Sequence, residues 1–157
     1  MSETLFFVVE VRGYEDPDVS RMVADVQQEY VRRYGGPDAA AVDPGEFAPP
    51  SGLFLVGLLD GAPVAMGGWR RLDADQAEIK RMYVAAAVRR RGLSRRMLTA
   101  LEETARAAGV RRLLLNTGPQ QPEAIALYES AGYTPTAGFG HYADHPNSLF
   151  YAKTLDG

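Results

Sequence analysis

The sequence predicts an α/β fold in which helices flank a mixed, mostly antiparallel central sheet of about six to seven strands. The first observation is element order: apolar runs and amphipathic stretches follow as strand, helix, three strands, helix, strand, helix and two strands. The second is the Asp60-Gly61 pair between two apolar runs, which is typical of a tight hairpin turn. The third is the length of 157 residues without a long linker, which fits one domain over residues 1–157.

The first half of the chain contains the less regular segments. Leu5 to Arg12 is predicted to be a strand, and Asp16 followed by Pro17 marks the start of a helix that ends at Gly35. The segment from Pro37 to Gly52 is rich in Pro, Gly, Ala and Asp, so we expect a loop with room for one helical turn. A loop of this length is a candidate for contact with a substrate.

The second half alternates strands and helices between clear boundaries. Strands are predicted at Leu53–Leu59, Pro63–Arg71, Ala77–Val84, Arg112–Thr117, Tyr133–Thr136 and Ser148–Leu155, and helices at Leu93–Ala108 and Pro122–Ala131. The consecutive leucines at 113–115 do not alternate with polar residues, so their strand is expected to be covered on both faces.

Composition and charge limit the function classes. The formal net charge is −3, and the absence of cysteine excludes disulfides, thiolate metal sites and a cysteine nucleophile. No apolar stretch approaches the roughly 20 residues of a membrane span, and no basic region precedes the apolar run Leu5–Val9. We therefore expect a cytoplasmic protein without a membrane partner. His141 and His145 are spaced i, i+4, but no helix or carboxylate arrangement supports a metal site there, so none is predicted.

A basic segment lies between the strand ending at Val84 and the helix starting at Leu93. Five arginines occupy the eight positions from Arg89 to Arg96. The first N–H groups of such a helix are unpaired at the positive end of its dipole, and Gly92 lets a ligand approach the main chain closely. The segment therefore suits a pyrophosphate, and the alternative is a solvated helix start that binds no ligand. Dinucleotide-binding and Walker motifs are absent, which disfavours nicotinamide cofactors and hydrolysis of nucleoside triphosphates.

This segment resembles the acyl-CoA loop of the GNAT acetyltransferases. That loop reads Arg/Gln-x-x-Gly-x-Gly/Ala, and Arg89, Gly92 and Ser94 occupy its defining positions, Ser94 being a departure. The resemblance implies a GNAT-like fold and acetyl-CoA as the acyl donor, with backbone groups of residues 90–95 on its pyrophosphate and the main chain of residues 82–84 along its pantetheine arm. The implied cofactor-binding residues are Met82, Tyr83, Val84, Arg89, Arg90, Arg91, Gly92, Leu93, Ser94 and Arg95.

A second block extends the resemblance. The run from Pro122 to Tyr133 is similar to the family's C-terminal block Asn-x-x-Ala-x-x-Leu-Tyr-x-x-x-Gly-Phe/Tyr, except that Gln121 stands where Asn is usual. Asn116, at the end of the preceding strand, is a candidate for the polar cofactor contact that the missing Asn would make. With the element order, the resemblance covers roughly Phe54–Leu155.

The resemblance implies acetyl transfer to a primary amine by direct attack in a ternary complex. An alkyl ammonium with a pKa of about 10.4 must first lose a proton, and Glu78 stands where many family members carry a catalytic carboxylate. Tyr128 resembles the family's general acid for the departing thiolate, and an N–H near Met82 is the candidate oxyanion donor. The alternatives are a surface ion pair of Glu78 with Lys80 or Arg81, and a Tyr128 that only packs on the sheet.

The sequence does not define the acceptor amine. His141 and Tyr142 are candidates to close its site, and Trp69, Tyr30 and Phe47 are candidates for its walls, although core or surface packing is the favoured interpretation of each. Three acidic residues near the loop would suit a cationic acceptor, namely Glu29, Asp43 and Glu46. A non-catalytic acyl-CoA sensor and an N-acyltransferase using a donor such as succinyl-CoA remain open.

The expected partners are acetyl-CoA and an amine, and a homodimer is left open. A nucleic-acid surface on the arginine segment is disfavoured by the net charge and by the lack of interleaved aromatic residues.

Overall fold

The computed structural model describes residues 6–38 and 42–155. Its strands are β1 (Phe7–Val11), β2 (Gly52–Leu59), β3 (Ala62–Arg71), β4 (Gln76–Val84), β5 (Arg112–Thr117), β6 (Thr134–Pro135) and β7 (Leu149–Thr154), and its helices are α1 (Pro17–Tyr34), α2 (Leu93–Ala107) and α3 (Pro122–Ser130). Each boundary agrees with the sequence prediction to within about two residues. The predicted strand start at Leu5 and residues 39–41 of the predicted loop lie outside the described residues.

The strands form one sheet of seven strands in the order β1-β2-β3-β4-β5-β7-β6. Only the pairing of β4 with β5 is parallel among the described strands, and the other pairings are antiparallel. This arrangement confirms the predicted fold class. The predicted hairpin is also present, since Asp60 and Gly61 between β2 and β3 have φ angles of 50° and 85°, as a tight hairpin turn requires.

α1 and α2 cover opposite faces of the sheet. α1 begins where the Asp16 side chain accepts a hydrogen bond from the Asp18 N–H, and it ends at Gly35, whose φ of 82° is left-handed. Alternate residues of β2 serve the two layers, because Phe54 packs with the α1 residues and Leu55 packs with the α2 residues. The predicted helical turn in the long loop is present as a 3-10 turn at Pro44–Phe47.

β4 and β5 separate part-way along their length. Their pairing covers only Gln76–Glu78 of β4, although β4 continues to Val84 and β5 remains paired with β7 as far as Thr117. A β-bulge follows in β4, where the register against β3 shifts and Arg81 adopts a φ of 61°. A bulge bends the strand and increases its local twist. The sheet is therefore open between the second half of β4 and the end of β5.

Candidate active site

A cavity of about 480 Å³ occupies the gap between β4 and β5, and we call it the cleft cavity. The end of α1, the first turns of α3 and the loop between β6 and β7 complete its wall. The lining residues include Ile79, Lys80, Arg81 and Met82 of β4, Leu115, Asn116, Thr117 and Gly118 at the end of β5, and Tyr30, Tyr34, Asp38, Gln121, Ala124, Tyr128, Tyr142 and His145 elsewhere. The predicted residues Met82, Asn116 and Tyr128 therefore border one space.

Tyr128 reaches the cleft cavity from α3. Its hydroxyl group lies 3.7 Å from the sulfur of Met82, and its ring packs edge-on against Tyr133 with the centroids 5.7 Å apart. Burial, followed by the field of the Tyr30 oxygen, raises the pKa of Tyr128 well above its ordinary value. The hydroxyl group is therefore protonated at neutral pH and faces the bulge of β4.

The start of α2 has free backbone donors. Gly92 is the N-cap in a left-handed conformation with a φ of 78°, and no side chain caps the helix. A Cβ placed at Gly92 would meet no atom within 4 Å, so the space beside its main chain is open. Arg90 and Arg91 are exposed and have no side-chain partner among residues 6–38 and 42–155. Main-chain N–H groups and the exposed guanidinium groups of Arg90 and Arg91 are thus available to an anion at this end of β4.

Two other arginines of this segment are engaged within the protein. The guanidinium of Arg89 pairs with Glu29 of α1, donates from Nε to the carbonyl of Val84 at 2.9 Å, and lies 5.7 Å from the centroid of the Tyr83 ring. Arg95 donates to Ser130 Oγ at 2.5 Å. The side chains of these two arginines fasten the loop to α1, β4 and α3, which leaves their main-chain groups for the predicted cofactor contact.

Glu78 lies in a buried ion pair and not on the wall of the cleft cavity. Its residue exposure is 7%, and its Oε1 accepts a hydrogen bond from Nε of Arg70 at 2.7 Å. Arg70 also pairs with Glu46 at 3.2 Å. The alternative interpretation of Glu78 as a surface partner of Lys80 or Arg81 is wrong, because the partner is Arg70 and the pair is buried. The general-base role of Glu78 stays a prediction.

A cluster of charges that the sequence did not reveal lies on the cleft wall. Nζ of Lys80 and Nη1 of Arg81 both contact Oδ2 of Asp38, at 2.8 Å and 3.1 Å. The hydroxyl of Tyr142 donates to Oδ1 of the same carboxylate at 2.8 Å. We call these four residues the Asp38 cluster. The signal in the sequence was the adjacent pair of cations Lys80 and Arg81 within β4.

The acceptor-site candidates divide into wall residues and core residues. Tyr30 and Tyr142 line the cleft cavity, and burial raises the pKa of Tyr30 to about 12. His145 lines it in place of His141. Trp69 and Phe47 are core residues: Trp69 donates from Nε1 to Thr104 at 3.1 Å, and Phe47 stacks on Tyr14 at 5.1 Å. The expectation that Trp69, Phe47 and His141 border the acceptor is therefore wrong.

The acidic residues expected to attract a cationic acceptor have partners within the protein. Glu29 pairs with Arg89 and Glu46 with Arg70. Asp43 caps the 3-10 turn by accepting from the amide of Gly45 at 3.0 Å. They stabilise the fold around the long loop, and none of the three lines the cleft cavity.

Across residues 6–38 and 42–155, no helix is long and apolar enough to cross a membrane. In the same part of the chain, no group of three or more His, Asp or Glu side chains is placed to hold a metal ion. A second groove, of about 590 Å³, lies between β1 and α2, and it borders neither Tyr128 nor Glu78. Of the predicted site residues, the cleft cavity is bordered by Met82, Asn116 and Tyr128.

The described residues therefore combine a sheet opened at a bulged strand, free N–H groups at the start of α2 and a buried tyrosine hydroxyl around one cleft. The profile of the Acetyltransferase (GNAT) family matches residues 19–133, and the chain belongs to this family. The resemblance drawn from the two sequence blocks is confirmed, and the protein is an N-acetyltransferase.

Sequence relatives carry the same class of name. The chain is 39% identical over 109 residues to the IAA acetyltransferase of Azospirillum brasilense, covering 69% of this chain and 71% of the relative. It is 36% identical over 91 residues to the uncharacterized N-acetyltransferase YsnE of Bacillus subtilis, covering 57% and 60%.

Solved structures share the fold. An acyl-CoA N-acyltransferase from Klebsiella pneumoniae superposes with a TM-score of 0.80 at 27% identity, over 96% of this chain and 99% of that one. A GNAT family acetyltransferase from Elizabethkingia anophelis with acetyl-CoA bound gives a TM-score of 0.69 at 15% identity, over 95% and 98%. The second likeness concerns the fold alone.

Proposed function

We propose that the enzyme transfers an acetyl group from acetyl-CoA directly to a primary amine in a ternary complex. The observation that carries the proposal is the opening between β4 and β5, which brings the Tyr128 hydroxyl to 3.7 Å from Met82 along the same strand that leads to the open N-terminus of α2. The chain has no cysteine, so a cysteine acyl-enzyme intermediate is not available. In the proposal the amine attacks the thioester itself.

In this proposal the donor lies along β4. Its pyrophosphate takes hydrogen bonds from backbone N–H groups of residues 90–95 and charge from Arg90 and Arg91. Its pantetheine arm pairs with the main chain of residues 82–84 like an added strand. The carbonyl of Val84 already accepts a hydrogen bond from Nε of Arg89 at 2.9 Å, so this oxygen is less available to the arm. Asn116 offers a polar group from the opposite wall.

The chemical step exchanges a C–S bond for a C–N bond. The amine nitrogen attacks the thioester carbon, and the resulting oxyanion is stabilised by the backbone N–H of Met82. Collapse expels the thiolate, whose conjugate thiol has a pKa of about 8.5. The raised pKa keeps the buried Tyr128 hydroxyl protonated and makes it a weak acid, so it gives its proton to the departing thiolate only as it takes up the proton that the acetylated nitrogen loses, and one proton passes in net from nitrogen to sulfur.

We propose that Glu78 removes the ammonium proton through a water molecule. Glu78 lies on β4 two residues before Lys80. Lys80 lines the cleft cavity, whereas the carboxylate of Glu78 does not. A water chain must therefore connect the acceptor nitrogen to the carboxylate. If this is so, Glu78→Gln lowers kcat/KM most at pH 6 and least at pH 10, where the amine is already neutral. A rate loss that is the same at every pH would assign Glu78 to structure through its pair with Arg70.

The direct test of the function is release of free coenzyme A thiol when purified protein is mixed with acetyl-CoA and a panel of amines and amino acids. We expect turnover with at least one acceptor and a new amide detected by mass spectrometry. Succinyl-CoA in a parallel series tests the alternative acyl donor. Thiol release that does not depend on any acceptor would be thioester hydrolysis and would contradict the proposal.

The proposal includes a cytoplasmic location, which a chain without cysteine suits because it needs no disulfides. The relatives do not agree on an acceptor. One structural neighbour is the ribosomal-protein-S18-alanine N-acetyltransferase of Escherichia coli, whereas a sequence relative is an IAA acetyltransferase. The identity of the acceptor must therefore come from the chemistry of the cleft wall.

A further inference from the structure

We propose that the acceptor carries a carboxylate, and that Lys80 and Arg81 bind this carboxylate beside the acetyl group. The acceptor class is then a small amino acid, with its amine and its carboxylate only a few bonds apart. This inference rests on the proposed acetyl transfer and specifies its second substrate.

The bulge in β4 places both cations on the same side of the strand. Adjacent residues of a regular strand point to opposite faces of the sheet. Arg81 instead has a φ of 61°, and its Nη1 reaches the same oxygen of Asp38 that Nζ of Lys80 contacts. A left-handed conformation is strained at a residue other than glycine. The fold therefore maintains a strained backbone that directs two cations at one point of the cleft wall.

The charges in this region are unevenly paired. Lys80 and Arg81 are each only 7% exposed, and among residues 6–38 and 42–155 they share the single carboxylate of Asp38, which leaves one positive charge in excess. The neighbouring carboxylates of Glu78 and Glu46 both pair with Arg70, which leaves one negative charge in excess there.

Burial makes the excess positive charge significant. A buried charge that is not fully paired is costly, and in this cluster the cost falls on residues that line a cavity. An incoming carboxylate would complete the pairing of Lys80 and Arg81. The excess negative charge around Glu78 lies beyond the two cations along β4, on the side away from Met82.

The position along β4 matches the proposed chemistry. From the phosphate-binding loop back along β4, the residues in order are Val84, Met82 beside Tyr128, Arg81 and Lys80. Two residues of a strand span about 7 Å at most. An acceptor held by its carboxylate at the two cations therefore reaches the acetyl carbon only if its amine is a few bonds away. Diamines and polyamines would place a second cation against Lys80 and Arg81, which repels them.

The experiment compares matched acceptors that differ only in the carboxylate. Each standard amino acid is assayed beside its carboxamide, with thiol release as the signal. A hydrogen-bonded ion pair contributes about 1.5–3 kcal/mol, so we expect kcat/KM for the preferred amino acid to exceed that of its amide at least tenfold. In Lys80→Gln this ratio should fall towards one while KM for acetyl-CoA is unchanged, and Lys80→Arg should restore part of it.

Lys153→Gln is the matched control, because Lys153 pairs at 3.0 Å with Glu102, which is not a lining residue of the cleft cavity. It should lower stability without changing the preference for the acid over the amide. The assay of the parental protein also tests the inference. Equal kcat/KM for amino acids and their amides would overturn the carboxylate site but not the proposed acetyl transfer. Turnover of neither, with no acceptor found at all, would overturn the proposed function instead.

A binding measurement covers the case in which turnover is slow. With coenzyme A present at saturation, N-acetyl amino acids should raise the melting temperature more than N-acetyl amino acid amides do, and Lys80→Gln should abolish the difference. If acids and amides stabilise the protein equally, the carboxylate site does not exist.

Discussion

The two ends of the cleft are built in different ways. The donor end consists of consecutive residues at the start of α2, with exposed arginines and free backbone N–H groups. The acceptor end consists of the Asp38 cluster, in which Tyr142 and Asp38 are 104 positions apart in the sequence. In our proposal the donor end binds a part of coenzyme A that every acyl-CoA shares, whereas the acceptor end suits one class of amine. In this proposal, residues adjacent in the sequence bind coenzyme A, and residues brought together by folding bind the acceptor.

The energetics of the two ends also differ. At the donor end the side chains of Arg90 and Arg91 are exposed, so we expect each charge to contribute little alone and the backbone to do most of the proposed binding. At the acceptor end the charges are buried, so each change there affects stability and binding together. Variants at the two ends should therefore give different signatures.

Between the two ends stands Tyr128, whose substitution should have the largest effect. Tyr128→Phe removes only the hydroxyl group, so kcat should fall by about 10² to 10⁴ while KM for acetyl-CoA stays near the parental value. The measurement is steady-state acetylation from pH 6 to 10. Parental kcat throughout, with chemistry rate-limiting, would leave Tyr128 as a packing residue.

Tyr133 provides the matched control for Tyr128. Its ring packs on Tyr128, but its hydroxyl donates to the buried carboxylate of Glu102 at 2.9 Å. Tyr133→Phe should lower the free energy of unfolding by about 1–3 kcal/mol because Glu102 loses a buried donor. Its kcat should remain close to the parental value.

Asp38→Asn tests the acceptor end. Removing the shared carboxylate leaves Lys80 and Arg81 buried with one positive charge more, and breaking a buried ion pair costs about 3–5 kcal/mol. Urea unfolding should show this loss, and millimolar amounts of an accepted amino acid should recover part of it. A loss of stability that no carboxylate relieves would restrict the Asp38 cluster to a structural role.

Gly92→Ala tests the backbone part of the donor end, with Gly109→Ala as its control. Both glycines have positive φ, 78° and 86°, and both have open space where a Cβ would lie. Each substitution should therefore destabilise the fold by about 1–2 kcal/mol through backbone strain. Only Gly92→Ala should weaken acetyl-CoA binding in calorimetry, because Gly109 follows the far end of α2. Equal affinities in the two variants would place the pyrophosphate elsewhere.

Arg91→Gln should have the smallest effect. An exposed charge contributes about 0.2–1 kcal/mol, so acetyl-CoA affinity should fall only a few-fold, and the difference should vanish in high salt. Arg106→Gln, in the last turn of the same helix, should leave the affinity unchanged. A loss of a hundredfold at position 91 would mean that side chains, and not the backbone, hold the phosphates.

Local patterns predicted most of the fold. The Asp60-Gly61 turn, the N-cap at Asp16 and the unbroken leucines of β5 each depend on neighbouring residues, and each element appears within about two residues of its predicted position. The bulge at Arg81 was not predicted, since a left-handed arginine inside an apolar strand has no local signature. At this bulge the side chains of Lys80 and Arg81 reach the same carboxylate of Asp38.

The sequence by itself determined the fold class, the family and the place of Tyr128 on α3, because each depends on residue types at short spacing along one segment. Only the tertiary structure decided which charges meet. Glu78 pairs with Arg70, and Lys80 pairs with Asp38 instead of with the acid two positions before it. Pairing of buried charges depends on distances through space, which strand register and one backbone angle set. The acceptor end is therefore a property of the folded chain.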